Sequence, residues 1–205
     1  MQQQLASETP RSQKGDIFFN QLKEDTAPMH RALEQLPLSV AITSPEITTT
    51  GYRNYLLRML PVVQDLEKNI FPLLANTIPD LEERRKLPLL LDDLHYLDAE
   101  YENTAILPLS AAHENMSTAF AMGIMYVLEG STLGGRFIGN NVQKALGYTP
   151  ETGARYFGGY GGATGSMWKN FLQQLGKAEV AEGAGEEIIN GARFAFTKIY
   201  NQFKG

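Results

Sequence analysis

The chain contains no cysteine, so disulfides, thiolate metal sites, iron–sulfur ligation and thiol catalysis are all excluded. Any metal must hang on histidine, carboxylate or tyrosine, and histidine is itself scarce, with three in 205 residues. Long hydrophobic runs are missing as well. No stretch of about 18 apolar residues occurs, so nothing reads as a transmembrane helix. Basic residues do not dominate either: 18 Lys and Arg face 23 Asp and Glu, a net charge of -5 that argues against a general affinity for nucleic acid or anionic lipid. The segment from Met1 to Asp16 is rich in Gln and Ser and has no apolar h-region, so it does not read as a secretory signal. The expectation is a cytoplasmic protein with a flexible N-terminus over residues 1–15 and one domain over 16–205.

Period-two alternation of β-branched residues is equally hard to find, and no repeat of solenoid length occurs. What is present is apolar spacing of three and four, and the fold class is all-α. Ile17, Phe18, Leu22, Met29, Leu33 and Leu36 line one side of a first helix, which Pro28 should interrupt and Asp25 or Thr26 restart. A second helix is expected from about Gly51 to Leu74, bent at Pro61, with Tyr52, Tyr55, Leu56, Met59, Val63, Leu66 and Ile70 buried. A third lies between Leu81 and Leu97, and a fourth runs from about Ala112 to Leu146, stopped by Gly147. Six glycines from Gly153 to Gly165 mark a loop, Ser166 is placed to cap the next helix, and the last spans about Glu182 to Phe203.

The most informative stretch is Met125 to Asn141, MYVLEGSTLGGRFIGNN. Its hydrophobic flanks predict helix, yet Gly130, Gly134, Gly135 and Gly139 together cost about 2 to 4 kcal/mol of helix stability. A bare backbone there serves either close packing of another helix or close approach of a flat ligand, and the spacing alone leaves both open. A partner for a ligand lies in Leu22 to Glu34, LKEDTAPMHRALE. His30 sits at the edge of the apolar face, with Glu34 one turn on, where it can steady the second ring nitrogen of a metal-bound imidazole. Lys23, two turns back, offers a cation to an anionic ligand edge.

These two segments, in this order and about a hundred residues apart, resemble the bacterial branch of the haem oxygenase family, including members encoded beside bacteriophytochromes. Tyr156 to Phe171, YFGGYGGATGSMWKNF, is similar to the same branch, and the likeness spans about Ile17 to Phe203. The resemblance implies a helical bundle with haem sandwiched between a proximal helix and a kinked distal helix. It implies that His30 is the proximal iron ligand, that Gly130, Gly134 and Gly135 lie against the opposite haem face, and that Tyr126 and Lys23 contact the propionates. The implied reaction opens haem to biliverdin, carbon monoxide and ferrous iron, using O2 and electrons from a ferredoxin, flavodoxin or flavin reductase. Haem is then both substrate and cofactor, and oligomeric state stays open.

In one respect the chain departs from the animal and cyanobacterial members: Ser131 stands where they carry an aspartate. Ser131 and Thr132 are therefore candidate hydroxyl contributors on the distal side. From Gly130 to Gly139 there is no His, Asp or Glu, so peroxidase-like acid–base cleavage is unassisted. Arg136 is a candidate propionate partner and Phe196 or Phe194 a candidate wall of the pocket, each with an ordinary surface or core alternative, as for Arg193 and Trp168. His95 and His113 receive no role. Competing functions are a haem-binding, storage or sensing protein on the same scaffold, and a helical di-iron protein, for which the sequence lacks a Glu-x-x-His pair.

Overall fold

The structure, a computed structural model, describes residues 13–101, 108–111 and 115–204, and among them it contains only helices, turns, bends and two isolated bridges from Thr149, to Thr152 and Gly153. The helices are α1 (Gln13–Glu34), α2 (Pro37–Thr43), α3 (Thr49–Asp65), α4 (Phe71–Leu74), α5 (Leu87–Tyr96), α6 (Thr118–Leu146), α7 (Arg155–Gly158), α8 (Thr164–Glu182) and α9 (Gly185–Lys204). A π turn over Leu66–Ile70 joins α3 to α4, so the helix expected over 51–74 is one rod with a local underwinding. The expected loop at 153–165 contains α7 and a short 3-10 turn over Gly161–Ala163.

The centre of the fold is the crossing of α6 and α9, with α1 also packed on α9. Glycine makes that crossing possible. A Cβ on Gly123 would collide with the carbonyl oxygen of Ile188, and one on Gly191 with that of Phe120. Around this contact Ala121, Met122, Ile124, Met125, Ile188, Ala192 and Ala195 are buried. Of the face expected on the second helix, all but Tyr55 are buried, as are Leu90, Leu94 and Leu97 of the third.

Several expected boundaries need correction. Pro28 does not interrupt α1, which runs unbroken through it from Gln13. Proline removes the N–H that would bond the carbonyl of Glu24, but Pro28 and Glu24 are exposed, so that carbonyl faces water. Residues 13–15, expected to be loose, belong to α1, whereas 1–12 lie outside the described residues. Ile17 is exposed, one residue around the helix from buried Phe18. Helix α6 starts at Thr118, capped by the Ser117 hydroxyl on the Phe120 N–H, and Ala112 lies outside the described residues. Ser166 caps nothing: α8 begins at Thr164, and the Ser166 hydroxyl donates back to the carbonyl of Ala163. Gly147 does end α6, at φ 78°.

Candidate functional site

His30 is held out of the core. Its side chain is 58% exposed, its Nδ1 lies 3.4 Å from Glu34 Oε2, and its ring meets the Phe196 ring edge-on at 5.8 Å between centroids. Phe196 itself is buried, so α9 supplies a fixed wall beside the imidazole. Lys23 is exposed on α1. One turn before His30, buried Thr26 donates its hydroxyl to the carbonyl of Leu22 at 2.7 Å and lies beside the Tyr126 hydroxyl of α6. Burial pushes the Tyr126 phenol above its ordinary pKa, and the neighbouring Thr26 hydroxyl partly offsets this. Thr26 and His30 share a face of α1, and Tyr126, Gly130, Leu133, Gly134 and Phe137 share a stripe of α6. The face of α1 that bears His30 is therefore turned toward the glycine-bearing stripe of α6.

The four glycines of that stretch divide between the two explanations the sequence left open. A Cβ on Gly135 or Gly139 would come into ordinary contact with Phe157, at 3.6 and 3.4 Å, so this side of α6 is packed against α7. One on Gly130 would rest 3.6 Å from the Trp168 ring, and one on Gly134 would meet nothing within 4 Å. Beside Gly134, Leu133 and Phe137 are 48% and 65% exposed, an apolar stripe left open next to bare backbone. Helix α6 passes through this region with no break, 3-10 turn or π turn. Ser131 and Thr132 spend their hydroxyl protons within the helix, on the carbonyls of Leu128 at 2.7 Å and Glu129 at 2.6 Å. Such back-bonding bends helices and leaves only the lone pairs free.

Behind the stripe lies a charged cluster that sequence reasoning missed. Buried Glu129 receives Arg84 on one carboxylate oxygen and the Tyr160 hydroxyl, at 2.6 Å, on the other. Arg84, fully buried, also forks onto both oxygens of Asp80 at 2.8 Å and donates to the Met167 carbonyl at 3.1 Å. Lys86 Nζ is buried without a hydrogen-bond partner and sits 3.0 Å from the centroid of the Tyr160 ring. Burial pushes the Glu129 carboxyl and the Tyr160 phenol up, and lowers the Lys86 ammonium to about 8. The signal available in the sequence was a lone acid inside the apolar run before Gly130.

The remaining candidates fall elsewhere. Arg136 is exposed. Arg193 pairs with Asp25 at 3.2 Å, tying α9 to α1, and Phe194 packs on Phe120 at 5.3 Å. Trp168 is half-buried, stacked on Phe171 and 5.5 Å from the Tyr126 ring, so it borders the stripe rather than filling the core. His95 is exposed at the end of α5, and His113 lies outside the described residues. Among the described residues no group of three or more histidines or carboxylates is placed to hold a metal ion, and no helix is long and apolar enough to cross a membrane.

Comparison with known proteins gives the frame for these positions. The family model described as "Heme oxygenase" matches residues 16–204. Among solved structures, a haem oxygenase from Neisseria meningitidis, studied with NO and CO bound, is 25% identical, with a TM-score of 0.72 over 91% of this chain and 92% of that one. A haem oxygenase from Leptospira interrogans superposes with a TM-score of 0.76 at 16% identity, over 91% and 98% of the two chains. Haem oxygenase-1 from the cyanobacterium Synechocystis, in complex with haem, gives 0.72 at 16% identity, over 91% and 90%. The curated protein sequences gave no significant match. With nearly its whole length matched by the family model, and with the same helical fold, the chain belongs to the haem oxygenase family.

Proposed function

We propose that this chain is a biliverdin-producing haem oxygenase of the bacterial branch, acting in the cytoplasm with His30 as the proximal iron ligand. The observation that carries the reading is that His30 and the glycine stripe occupy the faces of α1 and α6 that meet at Thr26 and Tyr126. The residues present fit haem: an imidazole outside the core, a backbone position where even a Cβ would meet nothing, and apolar Leu133 and Phe137 open beside it. When bound, haem supplies both the iron that activates O2 and the macrocycle that is opened, with electrons from a ferredoxin, flavodoxin or flavin reductase.

The chain's own part is placement. Glu34 on Nδ1 holds the His30 ring and leaves Nε2 to ligate. Phe196 blocks rotation of that ring from the α9 side. Gly134 lets a flat ligand approach the α6 backbone, Gly130 borders that approach beside the Trp168 ring, and Gly135 packs against Phe157 behind it. Lys23, Tyr126 and Arg136 are the groups assigned to the propionates, with the Tyr126 hydroxyl lying beside Thr26. Ser131 and Thr132 offer acceptor lone pairs but no free proton. With no acid or imidazole from Gly130 to Gly139, this stretch offers no acid–base group for heterolytic cleavage, which favours attack on the ring over peroxidase chemistry.

The test is hemin titration followed by reduction under air. Loss of the Soret band with release of biliverdin is expected, whereas a Soret band that persists through many equivalents of reductant would identify a storage or sensing protein instead. The His30→Ala variant should lose the histidine-ligated spectrum. An unchanged spectrum removes His30 as ligand.

A further inference from the structure

Two segments distant in sequence converge on one carboxylate immediately before Gly130. The turn at Glu82–Arg84 brings Arg84, the turn after α7 brings Tyr160, and both bind Glu129. Arg84 then reaches the start of α8 through the Met167 carbonyl, and the next residue, Trp168, lays its ring against Gly130 and Tyr126. Helix stability does not call for this arrangement. A buried ion pair gains little over well-packed apolar side chains, and leucine at position 129 would satisfy the helix. What the charged group adds is direction: both carboxylate oxygens are occupied, by donors on different elements.

The segment it adjoins needs such direction. Four glycines in ten residues leave α6 with little stiffness of its own there. Glu129 and Gly130 are adjacent, about 100° apart around the axis, so fixing one fixes where the other faces. We propose that Glu129 is a positioning residue. Its carboxylate, clamped by Arg84 and Tyr160, sets the rotation of the α6 turn carrying Gly130 and seats Trp168 beside it, shaping the surface that haem meets. This rests on the reading of α6 as the haem-facing helix.

Trp168 is the sole tryptophan of the chain, so its fluorescence reports the clamp directly in the haem-free protein. Glu129→Gln, and the milder Tyr160→Phe, are compared with wild type and with Asp93→Asn, which weakens a different buried carboxylate that caps α7. The expected result is a red-shifted Trp168 emission in Glu129→Gln and Tyr160→Phe but not in Asp93→Asn, with helical circular dichroism retained. In turnover, kcat should fall about tenfold and the biliverdin isomer mixture broaden, while the hemin Kd changes less than about threefold, the pattern of lost positioning rather than lost binding. Unchanged emission and unchanged kcat in Tyr160→Phe would overturn the proposal, as would an equal emission shift in Asp93→Asn. Should wild type itself release no biliverdin, the functional reading fails, and the haem-free fluorescence still decides the role of Glu129.

Discussion

Lys86 gives the sharpest quantitative expectation. Its ammonium is buried, has no hydrogen-bond partner, and rests on the Tyr160 ring with Glu129, Arg84 and Glu67 as its charged neighbours. Burial is the largest influence and lowers its pKa from 10.5 to about 8; Arg84 lowers it too, while Glu129 and Glu67 raise it. At about 1.4 kcal/mol per tenfold displacement, holding the charge in the fold costs up to about 3 kcal/mol. The contact with Tyr160 returns about 1 kcal/mol. A Lys86→Met variant, which keeps the packed stem, should therefore be more stable at pH 7 by about 2 kcal/mol, about 4 to 8 °C in Tm for a chain of this size. The sign of the pH dependence follows from linkage. Below pH 8 both folded and unfolded chains hold the proton and the cost is present in full. Between about 8 and 10.5 the unfolded chain holds a proton that the folded chain has lost, so this group's contribution to stability rises with pH. The advantage of the variant should accordingly shrink from pH 8 toward pH 10. Urea denaturation of both proteins at half-unit steps from pH 6.5 to 9.5 measures it, and the buried tyrosines, common to both, cancel in the difference. A variant less stable than wild type at pH 7, or a difference that stays constant across this range, refutes the reasoning.

Two further substitutions test the packing. Gly123→Ala and Gly134→Ala add the same methyl group to the same helix, yet the first meets the backbone of α9 and the second meets nothing. Gly123→Ala should cost about 3 kcal/mol or more in urea denaturation. Gly134→Ala should gain about 0.5 to 1 kcal/mol from helix propensity while weakening hemin affinity, because its Cβ enters the proposed haem face; equal stability changes would contradict the assignment. Arg84→Met leaves Glu129 and Asp80 without their cation inside the protein, and a loss of about 3 to 5 kcal/mol is expected from thermal and urea unfolding. A loss below about 1 kcal/mol would mean that the cluster is far more hydrated than its burial implies.

The helices were legible in the sequence because their apolar spacing is regular, and their ends where glycine marks them, as at Gly147. Pro28 misled, because a proline costs little where the carbonyl it orphans faces solvent. The glycine stretch of α6 was legible as an anomaly but not as a mechanism. The same residue type faces α7 at Gly135 and Gly139 and open space at Gly134, and only the neighbours distinguish the cases. The tightest glycines, Gly123 and Gly191, escaped notice altogether, since each looks like a mild helix defect and their partners lie some 65 to 70 residues away. Glu129 escaped for a related reason. Periodicity assigns a side to an acidic residue, but it does not reveal an arginine 45 positions upstream.

Neither α5 nor α7 has a side chain of its own to accept its first amide protons. Glu67, in the π turn that ends α3, takes the N–H groups of Lys86 and Leu87, and Asp93, within α5, takes those of Arg155 and Tyr156. Each of these helices is thus capped by a carboxylate from an element that precedes it in the chain. The caps form a series, Glu67 holding the start of α5 and Asp93 of α5 holding the start of α7. A substitution at Glu67 is therefore expected to be felt as far as Phe157, the residue that faces Gly135 and Gly139.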